Sequence, residues 1–186
     1  MSLCGTLHRT VAYMDVDIPL IIVKDASWRT PLQILKLKVG QRVKLPYPYA
    51  LVLLREGVAK LDPEGLPSYS ALKKLSWAEE KTSELQPLEE GFYLKVMLLA
   101  SSLREKAREG DRGAEENLKK LRIAFEDLVR LRSLKIAQLA SKNPTPDKEK
   151  MKNMTLEEQV LYVAICELLS GWTRSLVGLV TEGEKP

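Results

Sequence analysis

The chain has 186 residues, 45% hydrophobic and 29% charged, with 29 Lys and Arg against 25 Asp and Glu and a net charge of +4. That much apolar material can close a real core and excludes a disordered chain, while a surface of mixed sign permits contact with nucleic acid without arguing for it. Cys4 and Cys166 stand far apart, which excludes a disulfide framework or a zinc spacing and suits a reducing, cytoplasmic compartment.

The first twenty residues contain Asp15 and Asp17 and lack a basic start followed by an apolar core, so no signal peptide is expected. Up to about residue 61 the chain is strand-like. "RTVAYMDVDIPLIIVKD" mixes alternation with a β-branched run, and "VGQRVKLP" alternates around Gly40. "YPYALVLLREG" predicts a short helix with Pro48 in its first turn and Gly57 as its stop, followed by a strand at "VAKL". Asp62, Pro63, Gly65 and Pro67 then break the chain. From Ser68 to Gln86 a short polar helix without a wide apolar face reads as a connector ending before Pro87.

Three longer helical segments follow. In "PLEEGFYLKVMLLASSLREKAREG" the residues Phe92, Val96, Leu99 and Leu103 recur at helical spacing, and Gly110 and Gly113 separate it from the next. From about Ala114 to Ser141, Leu118, Leu121, Phe125, Leu128, Leu131 or Arg132, Ile136 and Leu139 form one stripe opposite a charged face. After the polar loop "NPTPDKEKMKN", Thr155 and Glu158 make a capping box that starts the last helix. The expected fold class is therefore α+β: a small β-rich domain over 1–61, a linker over 62–86, an all-α helical domain over 87–181 and a polar tail over 182–186.

No constellation for catalysis is legible. His8 is the only histidine, Cys166 lies between Ile165 and Glu167 in a helix, and the Glu pairs of "LEEGF", "GAEENL" and "TLEEQ" sit in first turns, where the helix dipole favours them. There is no Gly-rich phosphate loop, metal-ligand cluster or nucleophile elbow, so neither enzyme activity, metal nor cofactor is expected. Lys119, Lys120, Arg122, Arg130, Arg132 and Lys135 cluster on the second long helix and are the candidate DNA contacts. Glu126 and Asp127 lie among them, however, and Arg122 to Glu126 has i, i+4 spacing, which favours a salt-bridged solvated face.

The last helix is the most apolar segment. Glu167 and Arg174 interrupt it, which argues against a membrane span and for a packed helix. Leu161, Ile165, Leu168, Trp172 and Leu176 share a face that Tyr162, Leu169 and Val177 widen, and Val160, Val163 and Ala164 are apolar too. Either the helix is central to a compact bundle or a partner chain covers part of it. Burying five such side chains would contribute on the order of 10 kcal/mol at about 1.5–3 kcal/mol each, comparable with the roughly 4–15 kcal/mol that association must overcome.

In order and spacing, "GQRVKLPYPYALVLLREGVAKL", "PLEEGFYLKVMLLASSLREKA", "EDLVRLRSLKIAQLA" and "MTLEEQVLYVAICELLSGW" together resemble the archaeal GINS subunits in which the small β-domain precedes the helical one, relatives of the eukaryotic Psf-type subunits. The resemblance implies a non-catalytic, nucleoid-associated replication scaffold. It further implies a 2:2 heterotetramer with a sibling GINS subunit of reversed domain order, and binding to the MCM helicase and a RecJ-like helicase cofactor. It places Phe92, Tyr93, Val96 and Leu99, and the helix carrying Leu161, Tyr162, Ile165, Leu168, Leu169, Trp172 and Leu176, in or beside subunit contacts. The chain departs from the family pattern in its first dozen residues, in Asp62 to Gln86 and in "SLVGLV".

Overall fold

A computed structural model describes residues 13–29 and 34–182; His8 and the final polar residues from 183 lie outside them. The N-terminal part holds strands β1 (Asp17–Ile22), β2 (Ala26–Arg29), β3 (Ile34–Leu37) and β4 (Arg42–Pro46), helix α1 (Tyr47–Arg55) and strand β5 (Ala59–Leu61). A 3-10 turn at Pro63–Gly65 leads to helices α2 (Tyr69–Lys81), α3 (Phe92–Arg108), α4 (Arg112–Lys142) and α5 (Leu156–Glu182). The architecture is α+β, with small antiparallel sheets preceding the helices.

The β-region follows from alternation. β1 lies between β4 and β5, antiparallel to both, with Ile18 opposite Leu45 and Leu20 opposite both Val43 and Leu61. Because successive side chains point to opposite faces, Ile18, Leu20 and Ile22 all turn inward and are fully buried. Ala50 and Leu53 of α1 and Leu94 of α3 complete this core. β2 and β3 pair as a separate two-stranded sheet. Gly91, at the N-terminus of α3, has φ +66°, and a Cβ there would lie 2.2 Å from Cγ1 of Val16. Both the left-handed backbone and the close approach therefore require glycine.

The chain forms two compact units that are not consecutive in sequence. One comprises residues up to Leu72 with Glu89–Ile123, and the other comprises Lys73–Leu88 with residues from Ala124 onward. α4 thus contributes its first part to one unit and the remainder to the other. In the second unit Leu85, Ile136, Ala140, Met154, Tyr162 and Cys166 form the core, with Leu139, Met151, Ile165 and Leu169 packed against it.

The segment from Ser68 to Gln86, expected to be a polar connector, is packed. Leu72, Ser76, Glu79 and Leu85 are buried. Its apolar face is narrow because one of its inward positions is Glu79, held by Arg132 and Lys135.

Candidate subunit interface

Two features of the second unit define the site: the way α5 is anchored, and where its burial stops. At its start, the Thr155 N–H donates to Oε2 of Glu158 at 2.9 Å and the Glu158 N–H donates to the Thr155 hydroxyl at 3.4 Å, the reciprocal capping box that the spacing predicts. Glu158 is also buried against Arg132, whose side chain is almost fully enclosed. Arg132 donates from Nε to Glu158 Oε1 at 2.5 Å and from Nη2 to Glu158 Oε2 at 2.8 Å. Nη2 also reaches the Asn153 carbonyl at 2.9 Å, while Nη1 donates to the Gln86 carbonyl at 2.7 Å and to Glu79. All five guanidinium N–H groups thus have acceptors. Glu79 further accepts from Lys135 and, at 3.0 Å, from the Gln86 N–H. Two cations and two carboxylates balance in formal charge.

The first half of α5 then packs. Tyr162 and Cys166 are fully buried, and Ile165 and Leu169 are half-buried. Burial and the nearby Cys166 push the Tyr162 phenol above its ordinary pKa. Its hydroxyl donates to the Thr145 carbonyl at 3.4 Å, and the Ser170 hydroxyl donates to the Pro144 carbonyl at 2.6 Å. Beyond Ser170 the side-chain hydrogen bonds of Ser175 and Thr181 return to the helix's own backbone.

Along this helix the apolar face continues uncovered by the described residues. Leu168 is 71% exposed, Trp172 63% and Leu179 74%, with Leu176, Val177 and Val180 also open. Residues 171 to 182 extend about 18 Å at 1.5 Å per residue. Leu156, Val160 and Leu161 carry the exposed stripe back along the packed half of the helix. The expectation of a packed helix therefore holds for the first half only. By length and composition alone, Leu156–Thr181 is long and apolar enough to cross a membrane, because between Val160 and Thr181 it carries only the charges of Glu167 and Arg174.

The expected interface residues divide accordingly. Leu161, Leu168, Trp172 and Leu176 are exposed, and Ile165, Leu169, Tyr93 and Leu99 are half-buried. Phe92, Val96 and Tyr162 are covered by the chain itself and offer little surface. Periodicity placed them on apolar stripes but could not say which stripe faced inward. Leu179 and Val180, from the "SLVGLV" run and outside the expected set, are exposed as well.

The basic face of α4 is mostly committed internally. Lys119 pairs with Glu115 and Lys120 with Glu116, each at 2.7 Å, and these carboxylates raise the pKa values of their lysines. Arg132, read from sequence as a candidate DNA contact, is instead a buried ion, because an apolar-stripe position of α4 faces Glu79 and Glu158. Lys135 is largely enclosed with Glu79. Arg122 and Arg130 are exposed.

Residues 68–177 match the GINS complex protein helical bundle domain. The chain belongs to the GINS family. The match takes in α2, α3, α4 and most of α5, so the anchored half of α5 and the beginning of its uncovered half both lie within the GINS domain. No curated protein matches the sequence. The GINS domain is a non-catalytic scaffold of a DNA-replication complex, and a chain that carries it is a subunit that assembles with other GINS subunits.

Proposed function

We propose that this GINS chain is the subunit type with its β-domain first, and that it joins a sibling of reversed domain order in an archaeal 2:2 heterotetramer that scaffolds and activates the MCM helicase at the fork. The observation that carries the reading is the uncovered apolar half of α5. Covering Leu168, Trp172, Leu176, Leu179 and Val180 would contribute on the order of 10 kcal/mol at about 1.5–3 kcal/mol per large side chain, enough to offset much of the roughly 4–15 kcal/mol cost of association. A GINS subunit has a partner to provide that cover, so a subunit seam accounts for the exposed stripe more economically than a membrane does.

In this reading the helical domain, bounded near residues 87 and 181, builds the assembly, and the β-domain before it positions other replication proteins, a RecJ-like cofactor among them. Direct DNA contact is the weaker reading, because most of the candidate cations already have carboxylate partners and a phosphate backbone needs several that do not. Light scattering coupled to size-exclusion chromatography tests the proposal, using the chain alone and mixed with the sibling subunit. Conversion to a defined heterotetramer on mixing is the expected result; a stable monomer in both samples would overturn it.

A further inference from the structure

The part of α5 that packs poses a problem of orientation. From Val160 to Cys166 the helix reads Val, Leu, Tyr, Val, Ala, Ile, Cys, seven residues without a charged one, in which the Tyr162 hydroxyl makes one long hydrogen bond at 3.4 Å. Such a segment is apolar all round, so hydrophobic burial alone hardly distinguishes the face that turns inward from its neighbours. A slip of one residue would rotate the helix by about 100° and would carry Leu168, Trp172 and Leu179 to a different azimuth.

The anchor at the first turn is of the opposite kind. Glu158 receives two directed bonds from Arg132, at 2.5 and 2.8 Å, and Arg132 is itself fixed by Glu79 and by the Gln86 and Asn153 carbonyls. Asn153 in turn donates to the Leu85 carbonyl at 2.9 Å. These bonds are satisfied together only at one rotation and one axial position of α5. We propose that the buried Arg132 cluster acts as a positioning device for assembly: it fixes the azimuth of α5 and so aims the exposed stripe at the partner subunit, while adding little to the stability of the bundle. Buried ion pairs fit that role, because desolvation offsets much of their attraction whereas their geometry admits few alternatives. A single buried polar residue sets register in coiled coils for the same reason.

The inference rests on the reading of α5 as a subunit seam, and two variants separate them. The first is the triple variant Glu79→Gln, Arg132→Met, Glu158→Gln, which removes three charges but keeps acceptors for the Gln86 and Thr155 N–H groups. Lys135 can turn toward the Glu84 carbonyl it already reaches at 2.8 Å. The second is Leu168→Glu, on the exposed stripe. Thermal melting and affinity for the sibling subunit are measured for both. The expected result is a triple variant that melts within a few degrees of wild type yet binds the sibling about tenfold or more weakly, and a Leu168→Glu variant that melts normally and fails to assemble. A triple variant that melts far below wild type would make the cluster a stability device and overturn the inference. So would wild-type affinity in the triple variant while Leu168→Glu abolishes assembly, with the seam reading intact. Normal assembly by Leu168→Glu would overturn the seam reading itself.

Discussion

Arg132, in the C-terminal half of α4, holds Glu158 in the first turn of α5 through two hydrogen bonds, from Nε at 2.5 Å and from Nη2 at 2.8 Å, with both side chains buried. Glu158 therefore does two things at once: it caps its own helix through the Thr155 N–H and neutralises a cation from another. Truncating the arginine exposes what that arrangement balances. Arg132→Ala should lower unfolding stability by about 3–5 kcal/mol, the usual cost of leaving buried charges without their partner. Urea denaturation checks this, and a loss below about 1 kcal/mol would show that water reaches the cluster.

The exposed stripe should behave differently. Trp172 is 63% exposed, so Trp172→Glu should leave melting of the isolated chain nearly unchanged, within the roughly 0.5 kcal/mol typical of surface changes. It should nonetheless abolish association with the sibling subunit, because a carboxylate would then be desolvated without a partner. Titration of the variant by light scattering reads the second effect, and assembly at wild-type affinity would remove Trp172 from the seam.

Gly91 predicts a backbone effect in the other unit. Its φ of +66° and the 2.2 Å approach of a Cβ to Val16 both penalise a side chain. Gly91→Ala should cost more than about 1 kcal/mol. Part of that loss should return when Val16→Ala relieves the contact, which a double-mutant cycle in denaturant would detect as coupling. Additive losses would mean that the left-handed φ accounts for the whole effect.

Tyr162 predicts a pH effect. Burial, then the neighbouring Cys166, raises its pKa in the folded chain. A group with a raised folded pKa contributes stability that is complete below its unfolded pKa and is lost as pH rises through the folded one. The window therefore opens near pH 10, the ordinary tyrosine value, and extends upward. Wild type should lose stability there faster than Tyr162→Phe, measured by denaturation at successive alkaline pH values, and parallel slopes would contradict the assignment.

Much of the fold was legible in the sequence because local periodicity carried it. The alternation of Ile18, Leu20 and Ile22 specifies an inward face of β1, and Thr155 with Glu158 specifies where α5 begins; both are properties of neighbouring residues. The GINS resemblance rested on the same local blocks and their order. Which apolar positions stay exposed was less legible, because an apolar stripe looks the same whether its own chain or another covers it. Phe92, Val96 and Tyr162 proved to be buried within the chain, while Leu168 and Trp172 were left open.

The sequence by itself determined the helices, strands β1, β4 and β5, the family and the unusual apolarity of α5, since each depends on residue type and short-range spacing. Only the tertiary structure decided that Arg132 is a core ion and not a surface cation, because Glu79 and Glu158, 53 and 26 residues away in sequence, supply its counter-charges. It likewise decided where α5 leaves its own bundle, just beyond Ser170, since burial depends on which distant segments arrive alongside a helix and not on the helix alone.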